Sequence, residues 1–212
     1  MSFDLFVITS VINTGHNPWT YTMTRSIYNP QERLFQTIKT IESIRKFTNA
    51  KILLVECSQL SKEWEDYLIN MTDFYINCFD NLEINQACLN SNKKGFGEVM
   101  KTKKVISFIN ENNIKFNLLF KISGRYYLNN NFNRNKFSEE EFTFRKNSTV
   151  LYSVPYSLLN TFENYISKII LMYQNYDSVG LENVLPKISP RHSIDVLGVE
   201  GPVAVDNSYY IA

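Results

Sequence analysis

The sequence predicts an α/β fold: a mostly parallel central sheet flanked by helices, with extra strands towards the C-terminal end. Two observations carry this expectation. Short apolar runs rich in β-formers alternate with stretches of helical period up to about residue 120. Such alternation needs crossover connections, which make parallel neighbours and cover both sheet faces with helices. After residue 125 the alternation stops, and polar irregular sequence leads into further strands and one long amphipathic stretch.

Residues 5–11 form the first apolar run and read as a buried strand. Residues 13–28, with Gly15, Pro18 and Trp19, are a long loop of the kind that carries function at strand ends. A helix opens at Asn29-Pro30-Gln31-Glu32: Asn29 caps, Pro30 suits the first helical position, and Glu32 completes a capping box. Leu34, Ile38, Ile41 and Ile44 supply its apolar stripe. Residues 51–57 read as a strand, 61–71 as a helix around Trp64 and Leu68, and 74–79 as a third strand. Residues 80–95 read as a polar connection, 97–112 as a helix facing Val99, Ile106 and Ile109 inward, and 116–120 as a fourth strand. Beyond it, 129–148 is irregular and 149–154 a strand. The Leu158, Phe162, Ile166, Ile169 and Tyr173 stripe marks a core-facing helix. Residues 194–199 and 202–210 read as strands joined at Glu200-Gly201.

At 212 residues the chain is the size of one ordinary domain. A net charge of +1 gives no electrostatic case for nucleic acid as a partner. No apolar run reaches the ~18–20 residues of a membrane span, and the start, Met1-Ser2-Phe3-Asp4, lacks the pattern of a signal peptide. The expected location is cytoplasmic. Cys57, Cys78 and Cys88 form no CxxC and read as buried thiols in a reducing compartment. Asn70-Met71-Thr72 and Asn147-Ser148-Thr149 match the glycosylation pattern by chance on this reading.

The most informative stretch is Lys121-Ile122-Ser123-Gly124-Arg125-Tyr126. It places two cations and a glycine at a strand end, where α/β folds bind ligands, and so points to a phosphate or diphosphate. Asn92-Lys93-Lys94-Gly95-Phe96-Gly97-Glu98 opens a helix with lysines and glycines, an anion cradle of free N–H groups and ammonium groups. It matches neither the P-loop nor GxGxxG. Arg25, in the first loop, is placed to reach a ligand, whereas Arg33 reads as a solvated helix residue. Among the acids, Glu182 stands at a loop-to-helix junction after Gly180 and suits a base, with Asp195, Glu200 and Asp206 behind it. His192, beside Arg191, is a candidate for phosphate or metal, and His16 a weaker one.

The chain resembles small glycosyltransferases of the GT-A type found in large DNA viruses and some bacteria, including the N-terminal domain of a chlorella-virus capsid glycosyltransferase. The resembling segments are residues 6–12, 32–37 with 43–45, 94–98, 120–126 and 197–201. The resemblance implies one domain over 1–212, with a nucleotide-binding half (1–128) and an acceptor-side half (129–212). It implies a nucleotide-sugar donor held by Thr9, Ser10, Arg25, Lys94, Gly95, Glu98, Gly124 and His192, and a glycan or glycoprotein acceptor. Lys121 and Arg125 would neutralise the diphosphate and Glu182 would deprotonate the acceptor. The host cytoplasm would be the location if the source is viral. Such folds usually carry Asp-x-Asp for a divalent metal, and this chain has none. Either Lys121 and Arg125 replace the metal, or Mn²⁺ or Mg²⁺ is held by carboxylates such as Asp80. A noncatalytic nucleotide- or glycan-binding domain is the alternative function, and a nucleotidyltransferase a third.

Overall fold

Strands β1 (Leu5–Ser10), β2 (Lys51–Glu56), β3 (Phe74–Asn77) and β4 (Leu118–Ser123) are mutually parallel, with β1 paired to both β2 and β4. They are joined by α1 (Pro30–Phe47), α2 (Lys62–Met71), and then α3 (Leu82–Asn85) and α4 (Lys94–Glu111). The computed structural model describes residues 3–19, 22–177, 179–206 and 208–212. Met1 and Ser2 of the N-terminal reading, Thr20 and Tyr21 of the first loop, Ser178 before the Glu182 segment, and Asn207 lie outside the described residues.

The chain continues through β5 (Tyr127–Leu128), β6 (Phe142–Phe144), β7 (Leu151–Pro155), α5 (Leu159–Asn175), α6 (Leu181–Val184), β8 (Arg191–Ser193), β9 (Val199–Pro202) and β10 (Tyr209–Ile211). The main sheet has seven strands in the order β3-β2-β1-β4-β7-β6-β8. β7 joins β4 antiparallel, so the C-terminal part extends the same sheet. A three-stranded sheet, β10-β9-β5, is antiparallel.

Each face of the main sheet has its own core. Ile41 and Ile44 of α1 and Leu68 of α2 pack with Phe6, Ile8, Phe120 and Ile122 on one side. Val105, Ile106 and Ile109 of α4 and Phe162, Ile166 and Ile169 of α5 pack with Leu5, Val7 and Leu119 on the other. Covering both faces explains why β1 is buried at every position rather than alternating. Stacking of Phe6 on Phe120, ring centroids 4.7 Å apart, locks two strands together. Truncating a core aromatic to alanine typically costs ~3–5 kcal/mol. The Asn29 cap, the Glu32 capping box and the Pro30 start of α1 are as the sequence predicts.

Four local expectations are corrected. The 80–95 connection is helical in part: α3 runs into a π-helical turn, Gln86–Asn90. α4 begins at Lys94, so Gly95 and Gly97 lie inside its first turns. β4 runs on to Ser123, because β1 and β7 pair with it beyond residue 120, and Lys121 is therefore a mid-strand residue. Glu200-Gly201 lies within β9, and the hairpin turn comes after Pro202.

The order β3-β2-β1-β4 makes the ends of β1 and β4 a switch point: the chain leaves β1 towards β2 on one side, and β4 arrives on the other. Ligands bind in the crevice such a reversal leaves open. Gly124 N donates to Thr9 O at 3.0 Å, closing the sheet beneath it. Above it the first loop meets the turn after β9, where Ile27 N donates to Ala204 O at 2.8 Å. Among the described residues, no helix is long and apolar enough to cross a membrane.

Candidate functional site

The crevice holds a cavity of about 120 Å³. Thr9 near the end of β1, Val11 just after it, and Ser123 and Arg125 at the end of β4 form its floor. The α4 residues Lys94, Gly97, Glu98 and Lys101 make one wall. Thr14, Trp19 and Arg25 of the first loop, with Arg33 of α1 and Cys88 of the π-helical turn, make the other. Val203, Ala204 and Val205 roof it.

Cations dominate this lining, and Glu98 is the one carboxylate among the described lining residues. Arg33, read from the sequence as solvated, is buried and donates from Nε to Val11 O at 2.9 Å. Burial, and then the Arg125 charge, hold its pKa down to about 10 against the pull of Glu56. Lys101 is buried and donates to Ser10 O at 3.1 Å. Burial lowers its pKa, but Cys88, Cys57 and the carboxylates of Glu56 and Glu98 outweigh that and leave it raised. Arg125 Nε is buried and makes no hydrogen bond, while the guanidinium carbon sits 4.8 Å from the Tyr126 ring centroid. An unsatisfied buried donor on a cavity wall is a place for an acceptor to bind.

Behind the floor, Glu56 at the end of β2 is fully buried. Its Oε1 accepts from Ile12 N (3.0 Å), Cys57 N (3.0 Å), Ser58 N (2.8 Å) and Ser58 Oγ (2.5 Å). One carboxylate oxygen thus fixes the chain after both β1 and β2.

Of the residues singled out from the sequence, Thr9, Arg25, Lys94, Glu98 and Arg125 line the cavity. Ser10 and Gly124 lie just below: Ser10 Oγ is 3.2 Å from Thr37 Oγ1, and a Cβ on Gly124 would lie 3.1 Å from Thr37 Oγ1 and 3.2 Å from Ser10 Cβ. Arg25 is already engaged. It donates to Asn17 O (2.5 Å), Cys88 O (2.8 Å) and Ser91 O, and its guanidinium carbon is 4.0 Å from the Trp19 ring centroid, so it clasps the first loop to the π-helical turn.

The other candidates lie off the cavity wall. Lys121 is buried beneath it, donating to Glu98 Oε1 (2.5 Å), Ser123 Oγ (3.2 Å) and Thr149 O (3.2 Å). Burial lowers its pKa, with Glu98 opposing. Lys93 turns to the end of α5, donating to Tyr173 O (2.7 Å) and Tyr176 O (3.0 Å). Gly95 faces α5 and α6, where a Cβ would lie 2.0 Å from Tyr173 Oη and 2.8 Å from Leu181 Cβ. Its small size serves helix packing. Glu182 is exposed on α6, and His192 is on the edge strand β8, with β7 and β6 between it and β4. Asp195, Asp206 and His16 are exposed, and Glu200 bonds Asn129 Nδ2 at 3.2 Å and Tyr209 Oη at 3.3 Å.

Sequence reasoning missed Arg33, Lys101 and Glu56. Gly97 and Lys101 are four apart, one helical turn, which places both on the cavity face of α4. A glutamate closing an otherwise apolar strand was the signal for Glu56.

The donor set does not fit a divalent metal, which favours carboxylate and other oxygen ligands. β4 ends in Ser123-Gly124-Arg125, and the wall's carboxylate is tied to Lys121. Asp80 is exposed and does not line the cavity. Among the described residues, no group of three or more His, Cys, Asp or Glu is placed to hold a metal ion.

No protein-family model matches the chain, and no curated protein matches it. Among solved structures it is similar to core-mannan synthase A from Aspergillus fumigatus in its Mn/GDP form. The identity is 9% and the TM-score 0.38, over 84% of this chain and 50% of that one. The chain thus spans about half the length of that structure. A likeness this distant assigns no residue and no ligand.

Proposed function

We propose that the chain is a glycosyltransferase that moves a sugar from a nucleoside-diphosphate sugar to a hydroxyl of a glycan or protein acceptor. The observation that carries the reading is Arg125: its buried Nε makes no hydrogen bond, at a switch-point cavity shared with Arg33 and Lys101. A diphosphate supplies the acceptors such a site lacks. Negative charge grows on the departing diphosphate during transfer, and preorganised cations beside it in a water-poor site stabilise that charge. Arg125 and Lys101 take this role, with Arg33 behind them and Lys94 at the start of α4. Lys121, with its donors engaged, positions Glu98 instead of touching the phosphates.

An inverting transfer also needs a base for the acceptor hydroxyl. Glu98 stands on the wall and Glu182 does not, so the base role moves to Glu98. The nucleotide belongs to the 1–128 half and the acceptor to the 129–212 half. Ligand pockets usually run to ~300–1,000 Å³, so the donor is admitted only when the first loop and the 203–205 turn separate. Reclosure at Ile27 and Ala204 then excludes water. In this reading the cations alone balance the diphosphate charge, since the residues present do not fit a divalent metal.

A noncatalytic nucleotide-binding domain is the second reading, favoured by the engagement of Glu98 with Lys121. The test is a thermal-shift panel of UDP-, GDP-, dTDP- and CMP-sugars with and without EDTA, followed by donor hydrolysis. A matching donor at ~100 times its Kd stabilises the fold by ~2.7 kcal/mol, and the chelator leaves this unchanged. Stabilisation without hydrolysis or transfer selects the binder; no stabilisation by any donor rejects both readings.

A further inference from the structure

A groove separate from the crevice runs between the C-terminal half of α1 and the small sheet. Its volume is about 630 Å³, against about 120 Å³ for the crevice cavity. That size falls among ligand sites, which usually run to ~300–1,000 Å³. α1 supplies Lys39, Glu42 and Lys46, β5 and the chain after it supply Tyr127, Asn129, Asn130 and Asn131, and β9 supplies Glu200. The walls are fixed from beneath. Leu128 N donates to Ser43 Oγ at 2.9 Å, Ser43 Oγ donates to Thr40 O at 2.7 Å, and Thr40 Oγ1 donates to Tyr126 O at 2.8 Å. Thr40 and Ser43 are both buried. A site held this way has little freedom left to lose on binding.

The chemistry of the lining defines the ligand. Two ammonium groups, Lys39 and Lys46, are balanced by two carboxylates, Glu42 and Glu200, so the lining selects neither an anion nor a cation. Glu200 is oriented: Oε2 accepts from Asn129 Nδ2 at 3.2 Å and Oε1 from Tyr209 Oη at 3.3 Å. Tyr127 Oη bonds Tyr209 Oη, and Lys39 Nζ lies 3.7 Å from the Tyr127 ring centroid. Asn130 and Asn131 are exposed in a turn that Asn129 closes, its Oδ1 accepting from Asn131 N at 3.0 Å. An amide offers donors and an acceptor side by side, and a carboxylate offers two acceptors. A run of hydroxyls, each both donor and acceptor, matches that set. A peptide strand does not, because it needs an open strand edge. β5 has none: Tyr127 and Leu128 pair with β9 on one side, and Ser43 takes Leu128 N on the other.

We propose that this groove binds a neutral oligosaccharide, at a site outside the crevice. The two are neighbours along the chain. On α1, Arg33 lines the crevice and Lys39 the groove, ~9 Å of helix rise apart. After β4, Arg125 lines the crevice and Tyr127 the groove. On the transferase reading, the groove holds acceptor sugars remote from the reacting hydroxyl. The binding claim itself does not rest on that reading.

The test titrates the ¹⁵N-labelled full chain with maltotriose, cellotriose, laminaritriose, mannotriose and triacetylchitotriose, and with sialyllactose as the acidic control, and follows the amide shifts by NMR. At least one neutral trisaccharide should give saturable shifts in residues 39–47 and 127–131, and sialyllactose should bind more weakly. Asn130→Ala combined with Asn131→Ala changes two exposed positions, and the same spectra report that the fold is kept. The double variant should bind that trisaccharide about tenfold more weakly. No saturable shift with any neutral trisaccharide, tighter binding of sialyllactose, shifts confined to the crevice, or unchanged affinity in the double variant each overturns the proposal. The nucleotide-sugar panel reads the crevice and these titrations read the groove, so this proposal and the transferase reading fail separately.

Discussion

Lys121 Nζ lies 2.5 Å from Glu98 Oε1, and the two ends of this pair are unequal: the lysine side chain is 1% exposed and the glutamate 24%, because Glu98 opens onto the cavity. The pair joins the middle of β4 to the second turn of α4, and so fixes the helix that forms one cavity wall.

Glu98→Gln leaves the Lys121 charge buried with no carboxylate beside it. Removing one partner of a buried pair typically costs ~3–5 kcal/mol, and a loss of ~3 kcal/mol is expected in urea unfolding. Lys121→Met added to Glu98→Gln restores much of the loss, since it removes the stranded charge. A double variant no more stable than Glu98→Gln alone would show that the pair's charge is not what matters.

Arg125→Ala removes the cavity cation whose Nε makes no hydrogen bond. Donor turnover should fall by ~10²–10³-fold, the usual effect of losing one preorganised donor to developing charge. Its urea midpoint should stay near wild type, because no hydrogen bond from that Nε is lost. Unchanged turnover in a folded variant would take Arg125 out of the mechanism.

Arg25→Lys separates loop positioning from chemistry. Arg25 reaches the carbonyls of Asn17, Cys88 and Ser91 through different nitrogens, a fork that a lysine ammonium cannot reproduce. The first loop then loses its clasp. KM for the donor should rise about tenfold with kcat within about twofold, ~1.4 kcal/mol of binding. A fall in kcat at constant KM would mean that Arg25 acts on the transition state.

The fold was legible where local rules and tertiary demands agree. The 29–32 capping box, the apolar runs of β1 and β2 and the α5 stripe all became the elements they suggest. The site was less legible because charge in a sequence suggests water. Arg33 and Lys101 sit among polar neighbours, and only the convergence of α1, α4 and two strand ends buries them. Lys121 misled in the opposite direction: pairing by β1 and β7 carries β4 past residue 120 and takes its ammonium out of the crevice.

Asp73 gives the fold a defined acid dependence. Its carboxylate accepts from Lys51 Nζ (2.7 Å), Arg45 Nη2 (2.8 Å) and Ile52 N (2.9 Å). Burial raises its pKa, but these bonds more than offset that and leave it lowered. A depressed carboxylate stabilises the fold above its unfolded value of ~3.9, and the effect is lost as pH falls through the lower folded value. Asp73→Asn should therefore be ~1–2 kcal/mol less stable than wild type at pH 7, the scale of bonds to a charged group. The gap should narrow below about pH 4. A gap that stays constant down to pH 2 would assign the loss to shape and not to charge.

Gly95 separates two explanations for a glycine at a helix start. If it serves a phosphate, Gly95→Ala weakens donor binding and leaves stability alone. The structure gives it a packing role: a Cβ there would lie 2.0 Å from Tyr173 Oη, which belongs to α5, and 2.8 Å from Leu181 Cβ. Overpacking of this kind costs ~1–3 kcal/mol, so Gly95→Ala should lower stability by that amount. Tyr173→Phe deletes the atom nearest the added methyl, so the double variant should recover part of the loss, a coupling of ~0.5 kcal/mol or more for residues in contact. Leu181 limits the recovery, since its Cβ stays in place. Additive losses in urea unfolding would mean that Tyr173 Oη does not bar a side chain at residue 95, and would return Gly95 to the anion cradle that its position at the start of α4 first suggested.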